Sequence, residues 1–192
     1  QWPCLALAVC VPLLTRAAMT PVDAAWQQAL DLTVPTMPIP ESAAMLGLYI
    51  LCLAVIPAAA EEAFFRGSLL TGLLDGSHRI TAVLLTTASF ALLHGSIESL
   101  PSLLVISLLL TLLMLRSGQV WVPVTAHFFY NIYALPWRGV PLWGSILSGA
   151  LLIGLAIYIV IRQPKMAHPP MKGLDGLIAA AAFVLLAAMY FV

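Results

Sequence analysis

The sequence predicts an all-α fold, a polytopic transmembrane helical bundle of about seven helices. Hydrophobic residues make up 62% of the 192 residues and charged residues only 8%, whereas a soluble domain carries about a quarter charged residues. The apolar residues form continuous runs, several of them near the ~20 residues of a membrane-spanning helix. Because these runs do not alternate apolar and polar residues, they favour helices over the strands of a barrel.

Seven apolar runs are the candidate helices. They lie near residues 3–19, 43–62, 79–97, 101–115, 119–135, 142–161 and 174–192. Several are short for a full span, so we expect tilting or partial re-entry. We therefore predict one transmembrane domain over residues 1–192, embedded in a lipid bilayer, with no room for a soluble domain.

Two stretches that contain prolines add detail to this arrangement. The second run continues without a strong breaker through Glu61 to Asp75, and Pro57 inside it predicts a kink one turn before Glu61. Residues 20–42 hold four prolines and polar residues. We expect this segment to be a connection that cannot form one continuous helix.

The charge pattern excludes some classes of partner. The formal net charge is zero, and no basic cluster is present, so nothing indicates a nucleic-acid partner. The three cysteines, Cys4, Cys10 and Cys52, lie in apolar runs. We interpret them as small apolar residues and not as a disulfide framework.

Ionisable side chains inside apolar runs are the main indication of function. Such a charge costs at least about 2.5 kcal/mol at the centre of a membrane helix, so it usually faces a protein interior or a water-filled cavity. Six polar residues stand in or directly after three of the runs: Glu61, Glu62, Arg66, His94, His127 and Asn131.

These residues are predicted to lie at similar depths. Tight turns are predicted at residues 75–77 and 117–118, on one side of the bundle. Measured along the helix from these turns, Glu61 and Asn131 lie about 20 Å deep. By the same measure His94 lies about 27 Å deep and His127 about 14 Å deep. Three helices thus bring acid, imidazole and amide groups into an overlapping band.

Helical spacing predicts how these side chains face. His127 and Asn131 are four residues apart and share one face, and Glu62 and Arg66 can form a pair for the same reason. Glu61 and Glu62 point about 100° apart, so one cavity cannot receive both equally. We expect Glu61 to do the chemistry and Glu62 to be held by Arg66 in a supporting role.

Three sequence motifs carry a family resemblance. Residues 61–66 read EEAFFR, residues 90–94 read FALLH and residues 127–131 read HFFYN. The order and spacing resemble EExxxR, FxxxH and HxxxN of the CAAX prenyl protease and bacteriocin-processing family, also called CPBP or Abi. The resemblance covers roughly residues 43–135, which we take as the catalytic region.

The resemblance implies a glutamic-type intramembrane endopeptidase that cuts membrane-associated or C-terminally processed substrates. Glu61 would activate a water as general base, aided by His94. His127 and Asn131 would stabilise the oxyanion of the tetrahedral intermediate. Carboxylate and imidazole groups can move protons, and donors aimed at an oxyanion supply several kcal/mol in a dry site.

Zinc is the alternative chemistry. Glu61, His94 and His127 could bind a zinc ion and leave one coordination position open. We favour the metal-free version because the sequence has no HExxH motif and these ligands would come from three separate helices.

Two other functions use the same residues. The buried charges could form the proton or ion relay of a transporter, or the chain could be a non-catalytic immunity or assembly factor. Against a transporter, no repeat of the spans is visible; against a silent factor, all three motifs are intact. The small size suggests an integral protein of a prokaryotic cytoplasmic (inner) membrane, with a membrane-anchored peptide or protein as its substrate.

Overall fold

The computed structural model describes residues 2–34, 40–134 and 140–162, and every regular element in these ranges is helical. The six helices are α1 (Trp2–Ala29), α2 (Ala43–Gly76), α3 (Arg79–Leu93), α4 (Leu100–Ser117), α5 (Trp121–Ala134) and α6 (Leu142–Ile161). The all-helical fold class is confirmed for this part of the chain. The predicted count of about seven helices is not, because the candidate 174–192 lies outside the described residues.

Within the described ranges, four stretches are long and apolar enough to cross a membrane: Cys4–Ala29, Ala43–Gly76, Ile97–Ser117 and Leu142–Ile161. α3 and α5 have 15 and 14 residues, or about 21–23 Å of helix against a ~30 Å hydrocarbon core. α3 ends at Leu93 because Gly95 adopts a left-handed conformation with φ 63°. The predicted run 79–97 was therefore four residues too long.

α2 is one continuous helix, as the absence of a breaker predicted. Its 34 residues give about 51 Å at 1.5 Å per residue, more than the hydrocarbon core is thick. Two π-helical stretches, Leu51–Val55 and Ala63–Leu69, interrupt its α-helical hydrogen bonding. The first directly precedes the segment that contains Pro57, so the helix departs from α geometry next to this proline.

α1 corrects the prediction for residues 20–42. The helix continues through Pro21 to Ala29, so residues 20–29 of that segment are helical. Two hydrogen bonds to a distant part of the chain stabilise the helix beyond the proline. The Trp26 indole donates to the Ile97 carbonyl at 2.8 Å, and the Gln27 amide donates to the Glu98 carbonyl at 3.0 Å. These bonds fix the end of α1 to the chain before α4.

The main apolar core lies between α1, α4, α5 and α6, with α1 packed against the other three. The turns between α2 and α3 and between α4 and α5 are short. α2 ends at Gly76, and α4 ends at Ser117, where Gly118 takes a left-handed conformation with φ 65°. Both predicted turns are confirmed, and the next helix begins after two or three residues.

Candidate active site

The two glutamates lie on α2 between its two π-helical stretches, and both are buried, with relative exposures of 2% for Glu61 and 0% for Glu62. Glu61 faces two histidines. Its Oε2 atom lies 3.4 Å from Nε2 of His94 and 3.9 Å from Nε2 of His127. The structure thus brings one carboxylate and two imidazole rings, from α2, the end of α3 and α5, to one point.

Glu62 faces a different set of partners. Its Oε1 atom accepts a hydrogen bond from Nη1 of Arg66 at 2.8 Å and lies 2.9 Å from Nδ1 of His127. Arg66 is fully buried, and its Nη2 atom donates to both the carbonyl and the hydroxyl oxygen of Ser107 at 2.9 Å. Its guanidinium also stacks 4.5 Å from the ring centre of Phe90. Arg66 therefore binds Glu62 on α2 and is itself anchored to Ser107 on α4.

The hydrogen bonds of the histidines determine which nitrogen faces Glu61. Nδ1 of His94 lies 3.0 Å from the Phe90 carbonyl oxygen, which can only accept, so Nδ1 carries the proton. Nδ1 of His127 faces the Glu62 carboxylate in the same way. Both rings therefore turn Nε2 toward Glu61, and in a neutral ring that atom offers a lone pair.

The charges of this cluster do not balance by themselves. With both carboxylates ionised and Arg66 cationic, the cluster carries one net negative charge when both histidines are neutral. An unbalanced charge is strongly disfavoured in a buried site. One proton shared among Glu61, His94 and His127, or a bound cation, would balance it, so the cluster suits either proton transfer or metal binding.

A cavity of about 190 Å³ opens beside the cluster. His94, His127 and Asn131 contribute to its wall, and Phe90 lies beneath both imidazoles with ring-centre distances of 4.4 Å and 5.5 Å. Other polar residues of the lining are Arg16 on α1, Ser96 and Ser99 in the segment between α3 and α4, and Ser102 on α4. A peptide bond placed in this cavity would lie next to both histidines and the Asn131 amide.

Residues 43–133 match the family model described as type II CAAX prenyl endopeptidase Rce1-like. This part of the chain is similar to that family. The match runs from the start of α2 to the end of α5 and therefore contains all three motifs and the whole glutamate–histidine cluster, while α1 and α6 lie outside it. No curated protein and no solved structure matches the chain.

The match to the Rce1-like family supports a CAAX endopeptidase, a protease embedded in the membrane. The structure joins five of the six sequence-predicted residues, Glu61, Glu62, Arg66, His94 and His127, in one network of contacts. The sixth, Asn131, lines the same cavity. Their individual roles stay predictions.

Several contacts and residues of this site were not predicted. Glu62, which pairs with Arg66 on α2, also contacts His127 on α5. Helical spacing within α2 could not show this contact. Ser107 and Arg16 were also missed. A serine in an apolar helix and an arginine in the middle of α1 were the available signals, because polar groups in membrane helices need partners.

Proposed function

We propose that this protein hydrolyses peptide bonds of membrane-anchored substrates by a water that Glu61 activates. The observation that carries the proposal is the buried Glu61 carboxylate, which faces Nε2 of His94 at 3.4 Å beside a polar cavity. A buried carboxylate with an imidazole partner can accept a proton from water, a role that contributes about 10²–10⁴-fold to a rate.

The reaction balances with these groups alone. Glu61 accepts one proton as the water oxygen bonds to the carbonyl carbon, and the carbonyl oxygen becomes an oxyanion. His127 and Asn131, on one face of α5, donate hydrogen bonds to that oxyanion. The proton then passes, with the help of His94, to the amide nitrogen as the carbon–nitrogen bond breaks. The products are a new carboxylate and a new amine.

In this proposal His127 needs a proton on both ring nitrogens, because Nδ1 is occupied by Glu62 and Nε2 must donate to the oxyanion. Glu62 is the counter-ion that touches this ring, and Arg66 fixes Glu62. We therefore give Glu62 and Arg66 positioning roles. One shared proton would also balance the charge of the cluster, which supports the assignment.

The same site fits a zinc ion. The ligand atoms of Glu61, His94 and His127 lie within 4.8 Å of one another, and both histidines have Nδ1 engaged by an acceptor, as zinc-binding histidines commonly do. A zinc ion would supply a water of lowered pKa and polarise the substrate carbonyl. We propose the metal-free reaction, with zinc as the alternative, since the three ligands come from three helices without a compact zinc motif.

The proposed substrate is a peptide or protein anchored in the bilayer, and the proposed location is a prokaryotic cytoplasmic membrane. A substrate that spans or sits in the bilayer can reach a site between membrane helices by lateral diffusion. Glu61 and Glu62 lie on α2, which is long and apolar enough to cross a membrane. A CAAX-type tail and other C-terminal anchors are the candidate substrate classes.

A library of membrane-anchored peptides tests the proposal. Purified protein in lipid vesicles should release defined fragments from some members, identified by mass spectrometry. Ion and proton flux should be measured in the same vesicles. Absence of any cleavage together with flux that requires Glu61 would contradict the endopeptidase and support a relay.

A further inference from the structure

The segment that joins α3 to α4 forms part of the cavity wall, and its own residues hold it loosely. His94 directly follows the last residue of α3, and residues 95–99 then lead to α4. Gly95 adopts a left-handed conformation with φ 63°, and a side chain added there would meet no atom of the described residues within 4 Å. Because glycine has the freest backbone of all residues, packing at Gly95 does not fix the position of this segment.

Hydrogen bonds from the end of α1 fix the segment instead. Trp26 and Gln27 donate to the backbone carbonyls of residues 97 and 98 at 2.8 Å and 3.0 Å. Each bond joins positions 71 residues apart in the chain, so both depend on the packing of α1 beside the segment. The turn that they hold, Ile97–Ser99, is a single 3₁₀ turn, which has few hydrogen bonds of its own.

Asp23 caps α4 from another helix. The first N–H groups of a helix have no partner within it, and the side chain just before the helix commonly accepts from the second or third of them. Ser99 occupies that position before α4, but its side chain makes no such bond to the described residues. Oδ1 of Asp23 instead accepts the N–H of Ser102, the third residue of α4, at 3.1 Å. A carboxylate at this end of a helix also interacts favourably with the helix dipole.

The contacts from α1 bear directly on the catalytic cavity. The three side chains that make them are three and four residues apart, so they lie on one face of the helix. Ser99 and Ser102, at the start of α4, line the cavity together with His94. A displacement of the segment would therefore change the cavity wall and the position of His94, whose Nε2 atom lies 3.4 Å from Oε2 of Glu61.

We propose that Asp23, Trp26 and Gln27 form a clamp that positions His94 against Glu61 through the segment between α3 and α4. This inference rests on the proposed function, in which His94 helps to move the proton. The three residues of the clamp are positioning residues. A misplacement of about 1 Å far from the reacting atoms can cost a factor of about a hundred in rate. The clamp comes from α1, which lies outside the family match, so the three motifs do not contain it.

Substitutions that remove one hydrogen bond each test the clamp. Gln27→Ala and Asp23→Ala should each lower the rate of cleavage of a membrane-anchored peptide about ten- to hundredfold. Asp23→Asn keeps an oxygen that can accept from Ser102, so it should retain most of the rate. Gln28→Ala is the matched control, because Gln28 is the exposed neighbour of Gln27, and it should leave the rate unchanged.

A double-mutant cycle with His94→Ala shows whether the clamp acts through His94. Two effects that pass through one group are not additive, whereas independent effects on a rate multiply. Added to His94→Ala, the Gln27→Ala substitution should lower the single-turnover rate by less than about twofold. A further ten- to hundredfold loss would overturn the proposal, because the end of α1 would then act on the fold as a whole. Unchanged cleavage by both Gln27→Ala and Asp23→Ala would overturn it as well.

NMR signals of the histidine rings separate the clamp from the proposed function, because they report the surroundings of each ring without turnover. Gln27→Ala should change the His94 signal more than the His127 signal, since Glu62 holds the His127 ring from α2. If the unsubstituted protein cuts no peptide, the endopeptidase proposal fails, while this comparison still decides the clamp. An unmoved His94 signal in both Gln27→Ala and Asp23→Ala, or equal changes in the signals of both histidines, would refute the clamp.

Discussion

Replacing Glu62 with glutamine should lower stability far more than a conservative substitution on a surface. Glu62 and Arg66 are both fully buried and lie 2.8 Å apart. Removing one partner of a buried ion pair costs about 3–5 kcal/mol. Because the glutamine oxygen can still accept from Arg66, and Ser107 still accepts two hydrogen bonds from it, we expect the lower end, about 3 kcal/mol.

Thermal unfolding in detergent measures this effect. For a chain of this size each kcal/mol shifts the melting temperature by about 2–4 °C, so Glu62→Gln should melt about 6–12 °C lower. The folded fraction should still cleave, about ten- to hundredfold more slowly, as when a group that orients a reacting histidine is removed. The loss follows from the 2.9 Å contact between Glu62 and Nδ1 of His127.

Glu41 supplies the control, because it is exposed. Glu41→Gln should change neither the melting temperature nor the rate. A Glu62→Gln protein that melts like the unsubstituted one but has no activity would show that Glu62 takes part in the reaction itself. In that case the division of roles between the two glutamates is wrong.

Three further predictions address the neighbouring groups. Asn131→Ala should lower kcat about a hundredfold with little change in KM, as the loss of one oxyanion donor does; a change confined to KM, seen in steady-state kinetics, would contradict this role. Exhaustive chelation should leave cleavage intact and elemental analysis should find no stoichiometric metal, whereas activity restored by zinc alone would establish the zinc alternative. Ser107→Ala should lower stability by about 1–2 kcal/mol, measured by thermal unfolding, because Arg66 loses one acceptor and keeps the carbonyl; an unchanged melting temperature would mean that the hydroxyl contributes nothing.

The sequence predicted the cluster because its signals are local. Charged residues in apolar runs, the four-residue spacing of Glu62 and Arg66, and the turns before α3 and α5 all depend on near neighbours in the chain. From these it followed that Glu62 pairs with Arg66 while Glu61 is left to face the cavity, and the structure shows the Glu62–Arg66 pair and the contact of Glu61 with His94. Both glutamates also lie close to His127, which was not predicted. The family match over residues 43–133 agrees with the motif reading.

Contacts between distant helices could not be predicted in the same way. Arg66 reaches Ser107 across 41 residues, and Asp23 reaches Ser102 across 79. Residues 20–42 were expected to be a connection, but α1 continues to Ala29, and hydrogen bonds link its end to the chain before α4. Such pairings follow from how the helices pack, which periodicity along one segment does not specify.

The proposed reaction requires the Glu61 carboxylate to be the base that activates water. Single-turnover cleavage of one membrane-anchored peptide, with Glu61→Gln in excess over substrate, tests this role. The glutamine keeps the shape of the side chain but cannot take a proton, so we expect a rate about 10²–10⁴-fold lower, with the melting temperature and peptide binding close to those of the unsubstituted protein. Cleavage by folded Glu61→Gln at the rate of the unsubstituted protein would show that Glu61 is not the base.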